Sequence, residues 1–381
     1  MKNVLIALFL ILMTNLQTFA AYNVHLGQSI FLRDNKLDLS QVSWVSDDSS
    51  VASVSKDGVA LALKKGKAKV KALKNGQVIA SYDLNILDPE GIKYLYTEPN
   101  LPLCNSKITL FAITNKDVSK VKFNITVNNN TSSIISNKKV IDGDNYIYSA
   151  DFNLPACNNF FINASYYRNG SFKKTSINKK ITTLNQRSFS DTSLDTRRLS
   201  KDGINFITSY EGFKSEISKD TVSSKDIFDI GYGDVINFGE TFYNKITRKE
   251  AYAKLLERIN NLSCANAVNR FLISNNIMFN KHQFDALVSF TYNLGTAWMR
   301  NSDLKNIILS CKNLNNIDKD KFINKILCYH HCGKKCIKGL LYRRIDELEI
   351  FFFNDYNRDG NLNKHKFSIP SCITNAYGNF I

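Results

Sequence analysis

Glu211 is followed nine residues later by Asp220, and then by Asp229-Ile230-Gly231-Tyr232-Gly233. Two carboxyl groups on different elements facing one cleft are the smallest set that can hydrolyse a glycosidic bond. One donates a proton to the leaving oxygen and the other stays ionised. Glu211 and Asp220 are the candidates for that pair. Ser200 is placed to N-cap a helix on which Ile204, Ile207 and Glu211 fall at i, i+3 and i+7, so the glutamate extends an apolar face. Gly212 follows as a stop. Partial desolvation and the negative end of the helix dipole both favour the protonated acid. Asp220 lies in a polar stretch, residues 218–224, where solvent and hydrogen bonds favour the ionised form. On these two residues alone, a helix-terminal surface acid and a turn residue remain the simpler account; the sequence further on changes that balance.

The elements needed to position such a pair are present. Thr247-Arg248-Lys249-Glu250 is a capping box, with Ile246 as a staple, opening an amphipathic helix that carries Leu255, Leu256 and Ile259. Asn280 caps a mostly apolar helix through Phe290, too short to span a bilayer, with Phe284, Leu287, Val288 and Tyr292 as core residues. A helix over 340–353 carries Arg343 and Arg344, for which surface positions are the ordinary expectation. The implied arrangement is a small antiparallel hairpin bearing Asp220 and Asp229 beside a helical lobe, with substrate between them.

Together with Gln283-Phe284-Asp285-Ala286-Leu287, Tyr292-Asn293-Leu294-Gly295 and Leu341-Tyr342-Arg343-Arg344 followed by Glu347, this stretch resembles the phage-type lysozymes of glycoside hydrolase family 24 over roughly residues 199–354. The resemblance implies a muramidase cutting the β-1,4 bond between N-acetylmuramic acid and N-acetylglucosamine in peptidoglycan. Glu211 is then the general acid and Asp220 the group that positions or activates water. Tyr232, Gly233, Asn293, Arg343 and Arg344 are implied as binding or supporting residues, with Arg343 fitting by spacing the arginine that pairs with the family's catalytic glutamate. The chain departs from the pattern at Asp229, where the family has threonine, and at Asp234, where it has histidine. A third carboxyl at Asp229 is a further catalytic candidate that could hold a proton, replace Asp220 or attack the sugar; the alternative is a strand residue turned to solvent.

Upstream, Lys2, the apolar run 4–13 and Thr18-Phe19-Ala20 read as a secretory signal over 1–20, with no membrane anchor after its removal. Residues 21–88 show short alternating runs between turns. Trp44-Val45-Ser46, Val51-Ala52-Ser53-Val54 and Gly66-Lys67-Ala68-Lys69-Val70 resemble the bacterial immunoglobulin-like group 2 domain, which implies a spacer or weak binder. Residues 89–183 read as a second, unidentified β-sandwich, 184–198 as a linker and 355–381 as a tail. The fold class expected is therefore multidomain: two all-β immunoglobulin-like sandwiches, then an α+β, mainly helical lysozyme-like domain with a hairpin lobe.

Eight cysteines in an exported chain favour disulfides, with Cys104 and Cys157 a possible cross-link. Cys328, His330, His331, Cys332 and Cys336 resemble zinc ligands, but bridging is the expectation there, so neither metal nor cofactor is assigned. The segment 355–363 matches the start of a calcium loop and lacks its closing carboxylate, because Lys366 stands at the twelfth position; a plain turn is expected. The net charge of +16 suits attraction to anionic cell-wall polymers. With an export signal and no nucleic-acid motif, nucleic acid is not expected as a partner. The sequence therefore points to a secreted, monomeric hydrolase of bacterial peptidoglycan. The competing accounts are a catalytically impaired peptidoglycan-binding protein and a chitin-directed hydrolase.

Overall fold

The computed structural model describes residues 17–18, 21–34, 39, 41–99, 102, 104–155, 159–181, 183, 198–219, 227–260, 264–310, 317–333, 335–361, 364–367 and 373. The expected signal segment, apart from Gln17–Thr18, and residues 184–197 of the expected linker lie outside them, as do Asp220, Cys157, Cys311 and Cys372.

The N-terminal part is all-β. One sheet runs Gln17–Thr18, Gln77–Leu87, Gly66–Lys74, Ser43–Ser46, with Tyr22–His25 also paired to Gln77–Leu87, in parallel. The chain reverses between Lys74 and Gln77 through Asn75-Gly76, both at positive φ (52° and 78°), the backbone a two-residue hairpin turn requires. Val24, Ile30, Leu32, Val70, Tyr82, Leu84 and Ile86 fill the core beneath it. The facing sheet contains Gln28–Phe31, Val59–Ala62 and Ala52–Val54, and its edge is completed from far along the chain by Thr241–Tyr243.

Two four-stranded sheets follow. One orders Lys139–Asp142, Asn145–Asn153, Lys107–Asn115, Ile92–Glu98; the other orders Asn130–Ser136, Lys120–Val127, Phe160–Arg168, Ser171–Ile181. Strict alternation explains their pairing. In Lys120–Val127, Val121, Phe123 and Ile125 are buried while the side chains between them are not, so one face enters a core shared with Leu110, Tyr148, Phe160 and Ile162.

The C-terminal region is mainly helical: α1 (Lys201–Glu211), α2 (Arg248–Asn260), α3 (Ala265–Ser274), α4 (Lys281–Leu294), α5 (Asp303–Ser310), α6 (Lys319–Leu327) and α7 (Lys338–Phe353). Lys214–Lys219, Phe228–Gly231 and Asp234–Val235 form a three-stranded antiparallel sheet between α1 and α2. The apolar α4 is buried from Gln283 to Tyr292 and packs on α1, α3 and α7. The capping box at Thr247 forms, with Thr247 N–H donating to Glu250 at 2.7 Å and Glu250 N–H to Thr247 Oγ1 at 3.2 Å.

The three parts share packing. Phe31 and Val59 of the first sandwich lie in one apolar cluster with Phe228, Ile230, Phe242 and Ile246, and the Phe31 and Phe228 rings are 5.2 Å apart. Tyr96, Ile113 and Ile147 of the middle sheets join the helical core. Lys93 reaches the buried Glu250 at 3.5 Å, and Thr247 Oγ1 donates to Asp142 at 2.6 Å. The strand carrying Asp229 is thus backed by residues of the N-terminal module rather than tethered to them by a linker alone. Among the described residues no helix is long and apolar enough to cross a membrane.

Candidate active site

Helix α1 is anchored at its start and ends at the candidate acid. Ser200 Oγ accepts from Gly203 N–H at 3.0 Å and donates to Asp285 on α4. Ser200 N–H and Tyr356 Oη also donate to Asp285, at 3.0 and 2.6 Å. Burial raises the pKa of Asp285 against the pull of these donors. At the other end Gly212 adopts φ 68° and its N–H closes on Thr208 O, so Glu211 is the last helical residue, its side chain 19% exposed.

Arg343 Nη1 donates to Glu211 Oε1 at 2.6 Å. The other oxygen, Oε2, faces Gly233, where a Cβ would approach it to 3.0 Å. Gly233 sits at φ 74°, and its carbonyl accepts from Arg258. Next to it the Tyr232 carbonyl accepts from Tyr292 Oη at 2.8 Å, and the Arg258 guanidinium lies 4.6 Å from the centre of the Tyr292 ring. The Tyr232 ring packs on Phe213, 5.8 Å away. Gly233→Ala should therefore cost about 1–2 kcal/mol through left-handed backbone strain, and more if the Glu211 carboxylate has to move. Chemical denaturation checks this, and a variant as stable as the parent contradicts it.

Arg343 and Arg344 are not on the surface. They are 3% and 0% exposed and converge with Glu347, itself 3% exposed. Glu347 accepts from Arg343 Nε at 3.2 Å, Arg344 Nη2 at 3.1 Å and Ser289 Oγ at 2.7 Å, and lies 2.8 Å from Arg344 Nε. Burial works against the Arg343 charge, but the carboxylates of Glu211 and Glu347 outweigh it and hold its pKa above the ordinary value. Burial pulls Arg344 down to about 10. Asn293 Oδ1 accepts from Arg344 Nη2 at 3.1 Å, which places it behind the arginines.

Asp229 is not turned out to solvent: its side chain is 16% exposed. Lys214 Nζ lies 2.6 and 2.8 Å from its two oxygens, and Ser218 Oγ donates to one at 2.9 Å. Asp234 pairs with Lys254 Nζ at 2.8 Å. The two acids that depart from the family pattern are thus each matched by a lysine. Asp220 lies outside the described residues, between Lys214–Lys219 and Phe228–Gly231. Sequence reasoning missed Arg258, Lys214 and the part played by Glu347. Only Glu347 carried a local signal, the i, i+3 and i, i+4 spacings from Arg344 and Arg343.

Residues 355–361 and 364–367 fold back on α1 and α7. Arg358 donates to Ser209 O and its guanidinium lies 4.2 Å from the centre of the Tyr210 ring, while Phe367 joins the helical core. Lys364 Nζ binds both Asp355 and Asp359, so a lysine occupies the place a loop cation would take. Beneath it burial, reinforced by Asp359, pushes Glu349 up to about 8 against the partial offset of Lys364; Asp346, Asp355 and His365 also face it. A carboxyl raised in the folded state holds its proton more tightly there than in the unfolded chain. Its contribution is fully present below about pH 4 and is lost as pH rises toward 8. Stability should fall across that window by at most about 1.4 kcal/mol per pH unit from this group, and Glu349→Gln should flatten the fall. Denaturant midpoints at several pH values test it, and parallel profiles for the two proteins would count against it.

Residues 208–347 match the phage lysozyme family model, and residues 25–81 match that of the bacterial Ig-like domain (group 2). The endolysin of Bacillus phage B103 is 31% identical over 153 residues, and that of Bacillus phage PZA 30% over 156. Each alignment covers 40% of this chain, and 53% and 55% of the respective relative, so the chain spans about half the length of the curated relatives it matches. Among solved structures, the endolysin from Escherichia coli O157:H7 phage FAHEc1 shares 26% identity, with 42% of this chain and 97% of that one covered and a TM-score of 0.31. A P22 lysozyme variant shares 22%, with 41% and 98% covered and a TM-score of 0.30. By sequence, the chain is thus similar to phage lysozymes over residues 208–347 and to the bacterial Ig-like domain (group 2) over residues 25–81.

Proposed function

We propose that the chain is a secreted muramidase that hydrolyses the β-1,4 bond between N-acetylmuramic acid and N-acetylglucosamine in peptidoglycan. The observation that carries this is the setting of Glu211: an acid at a helix end, held at one oxygen by Arg343, with the other beside a glycine. It lies in the stretch that matches the phage lysozyme family model, and the chain is similar to two phage endolysins. Glu211 gives its proton to the bridging oxygen. Asp220 takes a proton from a water attacking the anomeric carbon on the opposite face, and the proton stays on that carboxyl until solvent removes it. Arg343 is a positioning residue that keeps the Glu211 side chain from swinging out, and the Tyr232-Gly233 turn, braced by Tyr292 and Arg258, forms the wall opposite. Asp229, clamped by Lys214 and Ser218, is assigned to holding the sheet together, which leaves the bond to be broken with inversion. The Ig-like module, sharing packing with the sheet that flanks the site, holds that sheet in place as well as spacing the enzyme from its surroundings.

The full chain should clear suspended purified peptidoglycan and leave chitin unchanged. Asp229→Asn should retain the clearing rate to within about tenfold, less than about 1.4 kcal/mol of barrier. No clearing by the wild type refutes the function; loss of clearing in Asp229→Asn to the level of a Glu211 variant would make Asp229 the second catalytic group.

A further inference from the structure

Between α6 and α7 the chain carries a cluster that glycan hydrolysis does not use. His331–Cys332 and Lys335–Cys336 form a two-stranded antiparallel turn in which His331 is the register partner of Cys336. That register is why the expected bridging fails at Cys336: it faces an imidazole and stands as an exposed thiol, while Cys328 is disulfide-bonded. His330, fully buried, has its ring centre 4.1 Å from that of His331. One ligand atom from each of His330, His331 and Cys336 lies within 4.8 Å of the others.

The tautomers are set by the backbone. His330 Nδ1 is 2.7 Å from Leu327 O, and His331 Nδ1 is 3.3 Å from Cys328 O. A ring nitrogen that donates to a carbonyl carries the proton, so each neutral imidazole has its lone pair on Nε2. His331 Nε2 is 3.3 Å from Cys336 Sγ, so the second imidazole nitrogen and the sulfur face one another. Two imidazole nitrogens and a thiolate, oriented by carbonyls behind them, make a donor set for a borderline-soft divalent ion.

We propose that His330, His331 and Cys336 form a zinc site. The exposed sides of His331 and Cys336 leave its fourth position to water. Binding releases the Cys336 proton and ties the end of α6 to the start of α7, where Ile337 N–H donates to His330 O at 2.8 Å. The ion is thus a staple at the root of the helix that carries Arg343, Arg344 and Glu347. This inference stands independently of the proposed activity.

The test is titration of the metal-free full chain with cobalt(II), after thiol counting and peptide mapping of Cys336. One cobalt per chain should bind with a dissociation constant of about 1 µM or tighter, with a thiolate-to-cobalt absorption band in the near ultraviolet, and zinc should displace it. Cys336→Ser should remove the band, and both it and His331→Ala should weaken binding by about 100-fold or more. Micromolar zinc should raise the unfolding temperature of the wild type and not of Cys336→Ser. Recovery of Cys336 in a disulfide, absence of the band, or binding that survives Cys336→Ser unchanged would overturn the site.

Discussion

Glu347→Ala is expected to destabilise the C-terminal region by about 3–5 kcal/mol. Its carboxylate is the shared partner of two guanidiniums that are almost wholly out of solvent, and it also takes the Ser289 hydroxyl. Truncation takes the carboxylate from the fully buried Arg344 and leaves Arg343 with Glu211 as its remaining carboxylate partner. Domains are stable by about 5–15 kcal/mol, so the loss is a large fraction of the total. Glu347→Gln keeps the shape and one acceptor and should cost less than the alanine. Denaturant unfolding of the two variants beside the parent tests this; a Glu347→Ala protein within about 1 kcal/mol of the parent would mean that the arginines are held by other partners.

The second large effect is on rate. Glu211→Gln should fold normally, since the amide oxygen can still accept from Arg343 Nη1, and should lower kcat on peptidoglycan by about 10²–10⁴-fold, the usual worth of a positioned general acid. KM should change little, because the substituted atom matters to the proton in flight rather than to the bound glycan. A variant within tenfold of the parent would remove Glu211 from the chemistry.

Local features of this site were legible and distant ones were not. The helix from Ser200 to the Gly212 stop follows from a capping side chain, apolar spacing and a glycine that accepts φ 68°, all within a dozen residues of Glu211. The strand Lys120–Val127 was legible for the same reason, through its alternation. Arg343 meets Glu211 across 132 residues, and only the family resemblance pointed to it. Arg258 and Lys214 had no such pointer. Their contacts depend on how the Tyr232-Gly233 turn and the Lys214–Lys219 strand are folded over the helices, which propensity does not encode. Arg343 and Arg344 misled on exposure: arginine is ordinarily a surface residue, and here Glu347 and the Phe290 ring take both sides of Arg344. The joining of Thr241–Tyr243 to an N-terminal sheet was equally invisible, because a three-residue edge strand has no periodicity to read and its partner lies more than two hundred residues away.

The most direct measurement is analysis of the fragments released when the purified full chain digests insoluble peptidoglycan. The account predicts new reducing ends that are N-acetylmuramic acid, released with inverted anomeric configuration by the parent and almost none by Glu211→Gln. New ends that are N-acetylglucosamine, or equal release by both proteins, would contradict it.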